Sequence, residues 1–560
     1  MGTVPVAPPA QSGMHSTNGR GANREKEPTF PGLRRAVWKR RGMAALSALL
    51  LALAFPPFGW WWTAWFALAP WYAQLSAPRT ASTLPPRFGA GFWFGFPLFL
   101  VGMFWLNEIG GVPWFALAVV QGTFFAVWAA ITIRVLPRLP AWMRPLVFAS
   151  LWTLFEAARS IGRVAFPWFL LSTTQVRALP LLQIVSVTAQ WGLSFAIACA
   201  CGFLVEAIRA SGKTRVRFAA TFVAIPAVLG MWGAFTMQTQ TGDKEPVLLA
   251  LCQGDEHDWY QILPTYDRLT REAVLTPSPQ GRPALVVWPE GTLPGDLSEN
   301  KTLRDVVHSE IAVRNAGYNP DQKLSDWVSD LARFARTPLI VGDDEKDNAS
   351  KWWRMGHLYD AQGNHVATYR KRQLVPFGEF FPLRDFLGPV FARYGGDFED
   401  FNPGTEAGVF TFTQTNPQLT PHPIKTGLLI CYEDAFPYVA REAVEKGAEM
   451  LTFITSDQSF GTSAGPYQHL DMAQVRAVET RRYIARCTTT GVSTLITPAG
   501  QIEKRLGLGE RGVLFVSPRL RDDQSVYVRF GDWWLWVCGL LALGGATYPL
   551  TLRRKANHLP

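Results

Sequence analysis

The sequence predicts a polytopic α-helical membrane domain of about eight spans joined to an α/β domain. Three observations predict it. Long apolar runs fill residues 42–236 and return at 532–552. Lys and Arg gather in alternate short loops between those runs. Between 237 and 531 the pattern changes to short β-rich runs alternating with helical ones. Bulk composition agrees. Of 560 residues 48% are hydrophobic and 23 are Trp, yet mean hydropathy is only +0.05, as expected when an apolar part is joined to an ordinary soluble part.

Residues 1–33 are rich in Gly, Pro, Ser and Thr and show no periodicity, the composition of a disordered arm. Arg34, Arg35, Lys39, Arg40 and Arg41 follow, so 1–41 is expected to be a disordered, basic cytoplasmic arm. A basic stretch before an apolar run resembles the start of a signal peptide. No small-residue cleavage site follows and apolar segments keep coming, so an uncleaved anchor is expected.

A span needs about 20 apolar residues, fewer where flanking residues help. The candidates lie near 42–56, 59–76, 89–106, 113–133, 146–162, 181–207, 216–236 and 533–551. With the N-terminal arm inside, the loops near 77–88, 134–145 and 208–217 are also cytoplasmic. They carry Arg79 and Arg87, then Arg134, Arg138 and Arg144, then Arg209, Lys213, Arg215 and Arg217. The tail 553–560 opens with Arg553, Arg554 and Lys555 on the same side, whereas the opposite loops near 57 and 107–112 carry no Lys or Arg. Arg163 and Arg177 depart from this pattern, but the sum favours both termini inside and residues 237–531 outside. Glu156 and Arg159 lie three apart on one helix face of the fifth span, where they can pair.

In the segment 237–531, VLLAL (247–251), ALVVW (284–288), PLIVG (338–342), TGLLI (426–430) and MLTFIT (450–455) read as buried strands. HLYDAQGNHVATY (357–369) reads as a hairpin around Gln362-Gly363, and helical patterns lie near 265–275, 324–336, 437–447 and 467–485. Strands alternating with helices imply a layered α/β domain.

Composition also excludes. The formal charge is +10, from 54 Lys and Arg against 44 Asp and Glu, but the cations sit beside apolar runs, a topology pattern that argues against nucleic acid as a partner. The six cysteines show no CxxC pair and no Cys/His cluster of zinc-like spacing, and do not look like a disulfide framework. No metal and no organic cofactor is expected.

Three polar residues follow predicted strands or hairpins. Glu290 follows ALVVWP, Lys371 follows the hairpin in YRKRQLVPFGEFFP, and Cys431 follows TGLLI. Groups at strand ends are held rigidly while loops leave room for substrate. A thiol is mostly protonated at neutral pH and needs a base. A carboxylate can take that proton, and a fixed ammonium can stabilise the oxyanion of a tetrahedral intermediate. Each residue also has a structural reading: a core thiol, a loop-capping glutamate, and one more exposed cation beside Arg370 and Arg372.

WPEG (288–291), YRKRQLVPFGE (369–379) and LICYED (429–434), in this order, resemble the nitrilase superfamily, whose Glu-Lys-Cys triad sits on an αββα sandwich. LVPFGE (374–379) is similar to one branch, the apolipoprotein N-acyltransferases of the bacterial inner membrane. FPPFGWW (55–61), GFWFGFPLFLVGMFWL (91–106), FPW (166–168), GLSF (192–195) and RFGDWW (529–534) resemble the same branch, so the likeness covers about residues 42–552. It implies seven spans over 42–236, a nitrilase-like catalytic domain at 237–531 on the periplasmic side, and a final span at 532–552. It further implies Glu290 as general base, Lys371 as oxyanion stabiliser, Cys431 as nucleophile, and Glu379, Tyr432 and Glu433 as supporting residues. GPYQHLDMAQVRAVETRR (465–482), with Gln468, His469, Arg476 and Glu479, matches a region read as scaffold and pocket wall. The implied reaction moves an acyl chain from a phospholipid to the thiol, then to the N-terminal amine of a diacylated apolipoprotein. The implied enzyme is a monomer in the bilayer without a cofactor.

The sequence departs from that branch at Ser456 and Ser459, where an Asn and a Trp are expected, at Thr489, where an Asn is expected, and in WWRMGHLYD (352–360), which lacks an Asn-Ser pair. Two other readings stand beside acyl transfer. One is a membrane-tethered amidase or a paralogue with a different acceptor. The other is a non-catalytic membrane scaffold or transporter.

Overall fold

A computed structural model describes residues 30–77, 89–239, 243–256, 259–293, 297, 301–347, 350–382, 384, 400–414 and 421–556. The membrane part contains α1 (Phe30–Ala52), α2 (Ala69–Leu75), α3 (Gly89–Gly102), α4 (Gly111–Val135), α5 (Arg144–Arg159), α6 (Val185–Arg209) and α7 (Gly212–Thr239). The arm expected at 1–41 lies outside the described residues up to 29. From Phe30 the chain is already helical, so its basic end is not disordered. Pro31 falls in the first turn, where its missing N–H is harmless, and the Arg and Lys that follow are good helix formers.

Every expected span contains helix, but not as eight uniform rods. Among the described residues three helices, Gly111–Arg138, Val185–Arg209 and Gly212–Thr239, are long and apolar enough to cross a bilayer by themselves. The run expected at 59–76 is broken into Trp61–Thr63, Ala64–Ala67 and α2, with Pro70 opening the last. The span expected at 89–106 is α-helical to Gly102 and then breaks at Met103 into a 3₁₀ turn, Phe104–Glu108. α6 is interrupted at Ala189, whose φ is 52°. The basic loop carrying Arg79 and Arg87 and the last four tail residues lie outside the described residues.

The α/β half is an αββα sandwich. One six-stranded sheet has the order β12-β1-β2-β3-β4-β5, the other β11-β10-β9-β8-β7-β6. The strands are β1 (Leu249–Gln253), β2 (Leu285–Val287), β3 (Leu339–Lys346), β4 (Trp352–Tyr359), β5 (His365–Arg370), β6 (Val409–Thr413), β7 (Pro423–Ile430), β8 (Met450–Thr455), β9 (Ile484–Thr488), β10 (Ser493–Ile496), β11 (Ile502–Leu506) and β12 (Gly512–Val516). β1, β2 and β3 run parallel, as do β7, β8 and β9, with antiparallel strands at both edges of each sheet. Leu249, Leu251, Ile340 and Leu358 of the first sheet interdigitate with Phe410, Leu428, Ile430 and Ile454 of the second. Alternation along each strand sends the next residues outward, so Ala250, Val286 and Val341 pack on helices α8 (Trp259–Leu275) and α9 (Leu324–Ala335).

The outer face of the second sheet, with Leu429, Leu451, Phe453 and Ile484, packs on α10 (Pro437–Glu445) and α11 (Gly465–Thr480). The same apolar cluster continues into Leu98, Phe99 and Leu182 of the membrane part, so the two halves share one core. The last helix, α12 (Trp533–Ala556), packs on α5.

The five strand readings and the hairpin coincide with β1, β2, β3, β7, β8 and β4–β5. Gly363, at φ 80°, turns the hairpin, and Asp360 Oδ1 accepts from the N–H groups of Gln362 and Asn364. The helix expected over 467–485 stops at Thr480. Arg481 adopts a left-handed conformation that ends it, and Ile484–Thr488 becomes β9 in the middle of the second sheet. β6 and β9–β12 were not foreseen.

Candidate active site

Glu290 lies three residues beyond β2, and its approach depends on Gly342 of β3. A Cβ there would fall 2.4 Å from Pro289 O and 2.8 Å from Glu290 Cα. Lys371 directly follows β5 and Cys431 directly follows β7. The structure brings all three together where the two sheets open. Lys371 Nζ, fully buried, donates to Glu290 Oε1 at 3.0 Å and Glu379 Oε1 at 2.7 Å. The other oxygen of Glu290 accepts from Ser456 N at 2.9 Å, and Ser456 O lies 3.8 Å from Cys431 Sγ. Glu379 Oε2 accepts from Val375 N at 2.9 Å, which folds the LVPFGE loop back over the lysine.

Cys431 has φ 52°, a left-handed backbone rarely adopted by a non-glycine residue. Of the six cysteines it alone is not fully buried. Cys199, Cys201, Cys252, Cys487 and Cys538 are buried, in keeping with packing roles.

The electrostatics follow from burial and charge. Burial pushes the Cys431 thiol well up, the Glu290 carboxylate pushes it further, and Lys371 pulls the other way. Burial alone would lower the Lys371 ammonium, but Glu290 and Glu379 outweigh it and raise it above an ordinary lysine. Burial would likewise raise Glu379, yet Lys371 and Arg354 hold it below the usual carboxylate range. The resting site is therefore a thiol beside a fixed ammonium braced by two carboxylates.

Arg354 was missed by sequence reasoning. It sits in the stretch lacking the Asn-Ser pair, and that absence was the available signal. Its Nη1 donates to Glu379 Oε1 at 2.6 Å and reaches Glu290 Oε1 at 3.4 Å, while Asp344 holds the guanidinium with two bonds of 2.8 Å.

Tyr432 and Glu433 lie behind the thiol. The Tyr432 hydroxyl donates to Ala165 O of the membrane part at 2.9 Å. Glu433 Oε2 accepts from Ile430 N at 2.8 Å. Its Oε1 accepts from Arg372 N at 2.6 Å and from the Tyr369 hydroxyl at 2.8 Å. One buried carboxylate thus ties the residue before Cys431 to the residue after Lys371, fixing thiol and ammonium in register. Burial raises its pKa, and the two backbone N–H groups oppose the rise.

The departures fall around this frame. Ser456 contributes its backbone, which any residue supplies. Its hydroxyl accepts from Thr489 Oγ1 at 3.2 Å, so two of the changed positions satisfy each other. Ser459 lies in the short 3₁₀ turn Gln458–Phe460, which has no buried residue.

The region 465–482 is scaffold. Gln468 Oε1 accepts from Trp105 Nε1 at 3.0 Å and Trp168 Nε1 at 2.8 Å, while its amide donates to Pro56 O and Gly102 O. Arg476 pairs with Glu479 and donates to Gln190 Oε1, and Glu479 accepts from the Gln190 N–H freed by the interruption of α6. His469 bridges Asp457 at 2.7 Å and Asp434 at 2.9 Å, and Arg486 also holds Asp457. Glu156 and Arg159 bond elsewhere rather than to each other. Glu156 accepts from Trp152 Nε1 and Leu171 N, and Arg159 donates to Gln121 and to the Phe166 and Trp168 carbonyls.

A cavity of about 360 Å³ opens beside the loop after Lys371. Ile161, Leu374 and Phe380 supply apolar walls, Arg163 and Arg372 supply charge, and Ser160–Arg163 belongs to the bend after α5.

A partly exposed thiol beside a carboxylate-braced lysine on an αββα sandwich, fused to apolar helices, fits a membrane-associated carbon-nitrogen hydrolase. Comparisons with known proteins agree. Residues 47–203 match the apolipoprotein N-acyltransferase N-terminal domain, and 248–524 match the carbon-nitrogen hydrolase family. The apolipoprotein N-acyltransferase of Pseudomonas aeruginosa is 30% identical over 522 residues, 89% of this chain and 94% of that protein. That of Geobacter metallireducens is 29% identical over 543 residues, 92% of this chain and 96% of that protein. An amidase from Nesterenkonia sp. is 22% identical, with a TM-score of 0.34, covering 53% of this chain and 97% of the amidase. The chain belongs to the apolipoprotein N-acyltransferase family.

Proposed function

We propose that the protein transfers an acyl chain from a membrane phospholipid, through a Cys431 thioester, to the N-terminal amine of diacylglyceryl-cysteine in apolipoproteins. The observation that carries the catalytic roles is Lys371, clamped between Glu290 and Glu379 beside a partly exposed thiol. Glu290 takes the Cys431 proton as sulfur attacks the sn-1 ester carbonyl. Lys371 stabilises the tetrahedral oxyanion. Collapse breaks the ester C–O bond, Glu290 returns the proton to the leaving oxygen, and lysophospholipid departs. The α-amine of the acceptor then attacks the thioester and gives a proton to Glu290. The C–S bond breaks to leave the amide, and the proton returns to sulfur. Glu379, with Arg354 behind it, holds Lys371 charged and aimed. The cavity walled by Ile161, Leu374 and Phe380, with Arg163 and Arg372 at hand, is the entry assigned to the phospholipid.

The same reading places the chain in the bacterial inner membrane as eight spans. It takes 42–236 as the membrane domain, 237–531 as the periplasmic catalytic domain, 532–552 as the last span, and both termini as cytoplasmic. The loop cations support this orientation. The contacts of Tyr432 and Gln468 with the membrane part support a thiol seated near the lipid.

Intact-protein mass spectrometry after incubation with phospholipid tests the proposal on wild type beside Cys431→Ala. A hydroxylamine-labile acyl mass on wild type alone, discharged by a diacylated peptide bearing a free amine, is the expected result. Discharge by water at the same rate without the peptide would make the protein an amidase-type hydrolase. No adduct on folded protein would leave a non-catalytic scaffold.

A further inference from the structure

The outer face of the first sheet carries a second cluster that the acyl-transfer chemistry does not use. Asp343 and Glu345 are two apart on β3 and share that face. His357 on β4 pairs with Val341, next along the same face, so its ring lies beside both carboxylates. Asp343 is fully buried and His357 is 2% exposed. One ligand atom from each of the three lies within 4.8 Å of the others.

Three observations point to an ion. Asp343 Oδ2 accepts from Leu297 N at 3.0 Å, but its Oδ1 is buried with no hydrogen-bond partner among the described residues, a costly state for a carboxylate. The His357 Nε2 edge faces Glu345 Oε1 at 3.2 Å. The opposite ring nitrogen, Nδ1, lies 3.1 Å from both His365 Nε2 and Thr368 Oγ1. A histidine that donates Nδ1–H to such partners presents Nε2 as a lone pair, the arrangement by which outer partners orient a metal-bound imidazole. The alternation of β3 adds a consequence. Asp344, between the two carboxylates, points to the opposite face and holds Arg354 against Glu379.

We propose that Asp343, Glu345 and His357 form a binding site for one divalent transition-metal ion of the zinc class, with His365 and Thr368 as outer partners of His357. One imidazole with two carboxylates suits Zn²⁺, whereas Mg²⁺ and Ca²⁺ favour all-oxygen shells. A bound ion compensates the buried Asp343 carboxylate and pins β3 to β4 directly behind Arg354. The site is structural and takes no part in the acyl-transfer steps.

The test uses tag-free full-length protein in detergent, stripped with chelator, equilibrated with Zn²⁺ and desalted, with metal counted by mass spectrometry. Wild type and Cys431→Ala are each expected to retain about one Zn²⁺ per chain. Asp343→Asn, isosteric and neutral, is expected to weaken binding by at least about 100-fold, the upper range for losing even an outer partner. Glu345→Gln lies at the rim and serves as the second variant if Asp343→Asn does not fold. His365→Gln is expected to cost about 10–100-fold. Replacement by Co²⁺ should give visible absorption bands of a four-coordinate nitrogen–oxygen site. Folded wild type without stoichiometric zinc, binding retained in both carboxylate variants, binding lost in Cys431→Ala, or equal retention of Mg²⁺ would each overturn the proposal.

Discussion

The two halves of the sandwich differ in what backs them. The first sheet, which supplies Glu290 and Lys371, is covered by α8 and α9. On α9 the buried residues are Leu324, Trp327, Val328, Leu331, Ala332 and Ala335, the stripe of an ordinary amphipathic helix with one polar side. The second sheet, which supplies Cys431 and the Ser456 backbone, is covered by α10 and α11. On α11 every residue but Tyr467 is buried, including Gln468, His469, Asp471, Arg476 and Glu479. A helix buried all round has a partner on each side, and here the second partner is the membrane part. The Cys431 thiol therefore stands on the half clamped to the membrane helices, and Glu290 and Lys371 stand on the other.

Changes at the seam between the sheets should have the largest effect. Glu290→Gln removes the proposed base while keeping the shape, and acylation of Cys431 by phospholipid should fall about 10²–10⁴-fold in single-turnover mass measurements with folding intact. A fall under tenfold would mean that this half does not provide the proton acceptor. Next comes the clamp. Gln468→Leu leaves two indole N–H groups and two carbonyls without their partner, and should lower unfolding stability by about 3 kcal/mol or more in denaturant titrations. The contrasting change on the first half, Asp330→Ala, removes exposed contacts with Arg333 and Gln322 and should cost under about 1 kcal/mol. Equal losses in these two variants would erase the difference between the layers.

A pH series sharpens the same contrast. Burial alone would lower His469, but Asp434 and Asp457 overcome it and raise its pKa to about 9 from 6.5. The folded state thus holds the proton more tightly than the unfolded state. The stabilisation is complete below about pH 6.5 and is lost as pH rises through about 9. The melting temperature of wild type should fall across that window relative to His469→Gln, and parallel curves for the two proteins would exclude the buried ion network as its source.

Residues that follow a strong local pattern were legible. Period and composition placed β8 at its observed limits, found the hairpin and put helices in the apolar runs, because burial of a strand or helix face leaves its period in the sequence. The grouping of Glu290, Lys371 and Cys431 was legible only through ordered motifs and strand ends, since Lys371 and Cys431 lie 60 positions apart in the chain. β9 was hidden because Ile484-Ala485-Arg486-Cys487-Thr488 carries an arginine on a strand buried on both faces. That charge is tolerated because Asp457 and the Val492 carbonyl receive it. The breaks near Trp61 and at Ala189 were hidden for a similar reason, as a run apolar on all sides shows where it is buried but not where it bends.

The sequence by itself determined the two-part architecture, the order of the apolar runs and the presence of a thiol, a carboxylate and an amine at the ends of secondary elements. These depend on composition and on short-range periodicity. The tertiary structure alone decided that Arg354 braces Glu379, that Glu433 ties the strand before Cys431 to the loop after Lys371, that Gln468 joins three membrane segments to α11, and that Asp343, Glu345 and His357 share one outer face. Each of these rests on register between strands or on packing between distant segments. A one-residue slip in pairing would turn those side chains to the other face.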